Sequence, residues 1–440
     1  MILLKNATVV HLHPGEVIPG VDIAIDGTEI QAVGRAAGEG QKPSRTIDLA
    51  GRLVMPGLVC GHDHFYSGLS RGIMATIAPC PDFVSTLQNL WWRLDRAIDA
   101  DILRLSGLVC SLEAIKAGCT AVIDHHASPS FIGGSLSTLK ESFEKAGLRG
   151  ILCYETTDRN GRDGARQGAE ENRRFAVLVE EEKKSRGKQR LIEAMIGGHA
   201  PFTLADEDLT ALADVVRGTG RGFHVHVAED TFDGSHSHRV YGKDALKRLD
   251  DFGLLSESSI IGHGLYLTEN DRNILNARGA CLAHNSRSNM NNGVGYNGAL
   301  PHVKNVVLGT DGIGSDMLLE AKFAYFRHRD AGGPLGPGAF MRFLQSGNEI
   351  LRRYFGEAFG RVEKGCKADL VILDYDSPTP LARENVAGHA LFGMGSRDVN
   401  TVIVNGRIVM ENRTFPWDTA PVYAEAQAAA KSLWKRMDNL

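Results

Sequence analysis

At 440 residues, with 43% hydrophobic and 23% charged side chains, the chain can build one large domain with a small appendage, or two ordinary domains. Its formal charge of -4 is small and mixed in sign, with no concentrated basic run, which excludes electrostatic capture of nucleic acid. No apolar stretch is long enough to span a bilayer, and the first residues lack a secretory pattern, so a cytoplasmic protein without membrane association is expected.

The opening residues read as short strands, 2–10, 22–25 and 29–33, with Asp26-Gly27 as a hairpin signal. The same texture returns at 368–373 and 399–409, where Asn405-Gly406 marks a second hairpin. Strand blocks at both ends predict a composite β-sandwich domain from residues 1–54 plus 361–415 around a middle domain, 55–360. A surface helix is expected within 416–440, where Ala, Lys and Leu dominate. The seven cysteines are scattered and never spaced as Cys-X-X-Cys, as expected of buried thiols in a reducing compartment.

In the middle section, candidate strands at 53–64, 121–126, 150–155, 191–199, 222–227, 259–263, 280–284 and 305–311 alternate with amphipathic stretches such as 101–116, 170–184 and 206–217. Eight strand–helix units over this length fit an α/β fold of the (β/α)8 TIM-barrel type. A doubly wound sheet would call for a Gly-rich phosphate loop after the first strand, and none is present.

The strands end in residues that bind metal or move protons: His62 and His64, His125 and His126, Glu155, His199, His226, His263, His284 and Asp311. In a parallel barrel these ends converge on one mouth. His62 and His64, two apart on an extended strand, share a face and can bind one ion. The alternative, an exposed surface strand, conflicts with the apolar approach through Leu53-Val54-Met55 and Leu58-Val59-Cys60.

A resemblance enters with these motifs. Pro56-Gly57-Leu58-Val59 before Gly61-His62-Asp63-His64, then His226-Val227-Ala228-Glu229, Gly262-His263-Gly264, His284-Asn285-Ser286-Arg287-Ser288-Asn289 and Gly309-Thr310-Asp311-Gly312 resemble the amidohydrolase superfamily, in its cytosine-, guanine- and triazine-hydrolase branch. Asp124-His125-His126-Ala127-Ser128-Pro129 and Gly388-His389-Ala390-Leu391-Phe392-Gly393 are similar to the SsnA-type aminohydrolases. The resemblance covers essentially the whole chain. It implies that His62, His64, His226 and Asp311 bind one divalent metal, most simply zinc, with iron(II) or manganese as alternatives. Glu229 would carry a proton, His263 would orient the nucleophile or stabilise developing charge, and a metal-activated hydroxide would attack a ring carbon. Relatives with two metals use a lysine at the fourth strand. Here that strand carries none, so a single ion is expected, with His125, His126 or His199 as ligands should a second one bind.

Candidate substrate contacts are Arg287, Asn289, His284, His199, Trp92 and His125. Arg287 offers a fork for a carbonyl or anionic edge, unless a neighbouring acid occupies it. The leading expectation is a hydrolase of non-peptide C–N bonds that deaminates a purine- or pyrimidine-like heterocycle. Ring opening of a cyclic amide is the rival, and a non-catalytic binding or assembly protein on the same barrel is a third reading. The partner expected is a small nitrogen heterocycle, and relatives suggest a homodimer.

Overall fold

Gly57 divides the first long apolar run into two strands that enter different sheets. A Cβ at this position would lie 2.0 Å from the Thr120 hydroxyl oxygen, so only glycine lets the chain cross so close to the next strand. The expected single strand 53–64 is therefore two, because an apolar run carries no record of which sheet each half joins. The computed structural model describes residues 1–440.

Five strands come first: β1 (Ile2–Leu12), β2 (Gly15–Asp26), β3 (Glu29–Gly34), β4 (Arg45–Asp48) and β5 (Leu53–Pro56). The barrel strands follow: β6 (Leu58–Asp63), β7 (Cys119–His126), β8 (Arg149–Tyr154), β9 (Ile192–Ala194) with its continuation β10 (Ile196–Gly197), β11 (Phe223–Val227), β12 (Ile260–His263), β13 (Cys281–His284) and β14 (Val306–Leu308). Last are β15 (Leu370–Leu373), β16 (Val399–Val404) and β17 (Arg407–Met410). Strands β1–β5 and β15–β17 form one mixed sheet in which β15 pairs with β5. The start of β3 bridges Lys367, so the sheet curls around a core that includes Leu4, Ile23, Val54, Leu370 and Ile403.

In the middle, β6-β7-β8-β9 and β10-β11-β12-β13-β14 are parallel throughout. A Thr156–Gly198 bridge joins the two halves, and an Asp63–Asp311 bridge closes the ring. This is an eight-stranded TIM barrel. Helices between the strands, such as Ala100–Lys116 and Ser135–Ala146, cover its outside. The C-terminal helix Ala420–Asp438 buries Val422, Ala426, Ala430, Leu433 and Met437, one stripe at helical spacing, and Trp434 Nε1 donates to Leu69 O at 3.2 Å. No helix is long and apolar enough to cross a membrane.

The barrel is fastened to the curled sheet by Arg149 at the foot of β8. Its buried guanidinium donates to both Asp369 oxygens, at 2.7 and 3.1 Å, and to Asn405 Oδ1 at 3.2 Å. The rings of Phe355 and Phe359 lie 4.7 and 4.9 Å from it. The sequence signals at Asn405-Gly406 thus end in a contact with the barrel.

Candidate metal centre and active site

Strands β6, β11 and β14 deliver their last side chains to one point at the barrel mouth. His226 Nε2 lies 3.2 Å from both His62 Nε2 and His64 Nε2. Asp311 Oδ1 lies 2.9 Å from His64 Nε2 and 3.8 Å from His62 Nε2. The backbone closes this corner too, since the N–H groups of Thr310 and Asp311 both donate to His62 O. Asp311 (φ 53) and His263 (φ 66) sit in the left-handed region, a costly conformation for residues other than glycine and one found where function overrides local preference.

The outer ring nitrogen of His64 must donate, because it faces a carbonyl. His64 Nδ1 donates to His125 O at 2.5 Å, and His62 Nδ1 is 2.9 Å from His224 Nε2. The Nε2 atoms of His62, His64 and His226 face one another at the centre. Three converging ring nitrogens and a carboxylate sit easily together only with a cation or a proton between them. Burial, with the charges of His64 and His224, holds His62 well below its usual range, and burial, with His62 and His64, does the same for His226. Burial opposes charge on His64 as well, yet Glu155 and Asp311 raise it well above its usual value. Burial likewise works against an Asp311 carboxylate, but its His64 hydrogen bond and the surrounding imidazoles keep it well below the ordinary range. A proton on His64 therefore stands where a cation would, and the donor set fits a divalent metal.

Beneath this cluster lies a layer the sequence reading did not single out. His224, two residues before His226 on the same strand, orients His62 and stacks on His125 at 4.4 Å. The His224-Val225-His226 spacing repeats that of His62 and His64 and was the signal available. His125 was expected in the substrate pocket. It is instead buried under the histidine cluster, with its ring 4.8 Å from His226, because it occupies an inward position of β7 below the strand end.

Glu229 and His263 complete the mouth. Glu229 Oε2 is 3.4 Å from His263 Nε2, which is 4.0 Å from Asp311 Oδ2. His263 Nδ1 is held by Asn289 Oδ1 at 2.8 Å, so Nε2 faces two carboxyl groups. Burial pushes the Glu229 carboxyl up to about 7, against the nearby His263 charge. Asn292 Nδ2 donates to Glu229 Oε1, and the Ser288 hydroxyl donates to Asp311 Oδ2.

A cleft of about 860 Å³ opens above these groups. His64, His226, Glu229, His263 and Asp311 line its floor. Phe83, Leu87, Trp91, Trp92, Phe202 and Phe232 give it apolar walls, and His199 stands between. His199 Nδ1 is 2.8 Å from Thr203 Oγ1, and its ring is 5.6 Å from His226. Of the expected substrate contacts, Trp92 and His199 face the cleft. Arg287 does not: its Nε donates to buried Glu320 at 2.6 Å and its Nη2 to Gly314 O at 2.6 Å. Asn289 is spent on orienting His263, and His284 is buried behind the mouth near Tyr296. These three are corrections: Arg287 and Asn289 are claimed by partners distant in sequence, whereas His284 is buried behind the mouth with neither ring nitrogen hydrogen-bonded. Asp95 and Phe232, on the helices Trp92–Ala97 and Thr231–Tyr241, and Arg159 and Asp230, on loops, also line the cleft, and sequence reasoning missed them.

The amidohydrolase family model matches residues 53–409. Over 449 residues the chain is 30% identical to a 5-methylthioadenosine/S-adenosylhomocysteine deaminase of Pelotomaculum thermopropionicum, covering 99% of each chain. It is 29% identical over 453 residues to a 5'-deoxyadenosine deaminase of Methanosarcina mazei, covering 100% of this chain and 99% of the relative. An adenosine deaminase from Xanthomonas campestris with bound zinc superposes with a TM-score of 0.83 at 22% identity, over 99% of this chain and 98% of that one. The E. coli guanine deaminase does so with 0.78 at 19% identity, over 93% and 100%. At those identities the structural likeness speaks for the fold alone.

Proposed function

The chain belongs to the amidohydrolase family, hydrolases of carbon–nitrogen bonds outside peptides, and we propose that it removes an exocyclic amine from a purine- or pyrimidine-like ring. The observation that carries this reading is the meeting of Glu229, His263 and Asp311 beside the three-histidine cluster, at the floor of a cleft with aromatic walls. The deaminases among its relatives support the same class of substrate.

His62, His64, His226 and Asp311 would hold one divalent ion, and three imidazoles with one carboxylate suit zinc, or iron(II) and manganese less well. When bound, such an ion supplies Lewis acidity that brings water's proton loss towards neutral pH. The chain's own groups then divide the proton work. Glu229, with a carboxyl near neutrality, takes one proton from the attacking water and gives it to the ring nitrogen next to the reacting carbon. Asp311 takes the second and passes it to the amine as the carbon–nitrogen bond breaks. Ammonia leaves, and the ring keeps a carbonyl beside its new N–H. His263, fixed by Asn289, stabilises the oxygen as charge develops on it. The aromatic walls stack the ring and keep bulk water out.

Metal-defined protein assayed on purines, pyrimidines and their nucleosides tests the reading. Ammonia release in step with a change in ring absorbance supports deamination. Loss of ring absorbance without ammonia would favour ring opening instead. A protein inert with zinc, iron and manganese alike would favour a non-catalytic role.

A further inference from the structure

One wall of the cleft carries a buried ion pair that the proton steps leave unused. Asp95 comes from the helix Trp92–Ala97, after the first barrel strand, and Arg159 from the loop after the third. Arg159 Nη2 donates to Asp95 Oδ2, with the side chains 9% and 1% exposed. Their remaining groups are unanswered. Asp95 Oδ1, Arg159 Nε and Nη1, and the indole Nε1 of Trp92 are all buried without a hydrogen-bond partner. Native proteins rarely leave so many polar atoms unpaired in one place, because each forfeits its hydration for nothing.

The place is informative. Arg159 lies 5.0 Å from the Trp92 ring, Trp92 is 6.2 Å from His199, and His199 is 5.6 Å from His226. Asp95, Arg159 and Trp92 all line the cleft. A heterocycle with its reacting carbon at the three-histidine cluster and its ring along this wall would thus turn one polar edge towards this pair.

The chemistry of the unpaired atoms selects that edge. The pair is neutral overall, so it favours neither a free anion nor a free cation. Arg159 has two unanswered nitrogens, carrying three N–H donors, and Asp95 one acceptor oxygen. A ring carbonyl next to a ring N–H offers an acceptor and a donor side by side and answers both. A ring bearing only amines and bare nitrogens brings no oxygen to the guanidinium. Sugar hydroxyls can also answer either group, so nucleosides form one arm of the test.

We infer that Asp95, Arg159 and Trp92 form a specificity subsite reading a lactam edge, so that the substrate is an amino-oxo heterocycle. The amine in that statement rests on the deaminase reading above.

Guanine and 2-aminopurine differ only by the ring carbonyl and its N–H, and make the matched pair, with adenosine and guanosine beside them. Metal-loaded protein is assayed by ammonia release as wild type, as Arg159→Gln, and as the double variant Asp95→Asn with Arg159→Gln, which removes both charges and leaves no lone buried ion. The expected result is a kcat/KM for guanine roughly 100-fold or more above that for 2-aminopurine and for adenosine. In either variant the guanine value falls by roughly 100-fold, mainly through KM, with metal content unchanged. A wild-type preference for 2-aminopurine or either nucleoside, or full guanine activity in both variants, overturns the subsite. Should no ring release ammonia, the deaminase reading fails separately, and the subsite is then read by binding. Guanine raising the unfolding temperature of wild type but not of the double variant supports it, and equal response overturns it.

Discussion

His64 Nε2 and Asp311 Oδ1 stand 2.9 Å apart, one from the first barrel strand and one from the end of the last. Closure of the barrel and assembly of the candidate metal site are therefore one event, since the Asp63–Asp311 bridge that completes the ring also sets Asp311 against the histidines. The substitution Asp311→Asn keeps the shape but removes both the charge and the proton acceptor. Turnover is expected to fall at least ~10³-fold, with weaker metal retention after dialysis. Ammonia release and bound-metal assays check it, and an Asp311→Asn variant at more than a tenth of the wild-type rate would contradict it.

Glu229 gives a pH signature. Burial raises its carboxyl to about 7, so it is protonated below that pH and a proton acceptor above it. The logarithm of kcat/KM should rise with pH up to about 7 and then level off. Glu229→Gln should remove that limb and lower turnover ~10²- to 10⁴-fold without loss of metal. A rate profile with the same limb in the Gln variant would assign it to another group.

Asp124, beneath the mouth, makes a separate prediction about stability. Its Oδ1 accepts from Phe65 N at 2.7 Å, its Oδ2 has no partner, and burial pushes the carboxyl up to about 8. The folded form thus holds a proton that the unfolded chain releases near pH 4. Its cost to stability grows as pH rises from about 4 to about 8 and is constant above. Asp124→Asn, which has no proton to lose, should gain on the wild type across that window. Thermal unfolding at pH 5 and pH 9 measures it, and parallel melting curves would refute it.

Arg149 is expected to carry much of the attachment between the barrel and the curled sheet. Arg149→Met leaves Asp369 buried without its ion partner, at a cost of about 3–5 kcal/mol. Adding Asp369→Asn should recover a large part of the loss, because the stranded charge is gone. Urea denaturation of the two variants decides, with equal stability as the opposing result.

Much of this architecture was legible in the sequence, and for a physical reason. Parallel barrels put strand ends at one mouth, so residues such as His62, His226, His263 and Asp311, each closing an apolar run, could be grouped before any coordinates. The groups that were misjudged depend on pairings the sequence does not display. Arg287 is claimed by Glu320, thirty-three positions on, and Asn289 by His263, twenty-six positions back. His125 alternates inward on β7 and stacks under the cluster, a matter of depth that strand periodicity leaves open. Asp95 lies on a helix of only six residues and Arg159 on a loop, after two different strands, too short a stretch in either for a repeat to mark which face meets the cleft.

The central claim is that four side chains hold a single divalent ion. Metal content per chain measured together with X-ray absorption at the metal edge tests it most directly. The account predicts one ion, with three imidazole nitrogens and a carboxylate oxygen from the protein, and a spectrum changed by His226→Ala. Two ions per chain with activity tracking the second, or a sulfur neighbour to the metal, would contradict it.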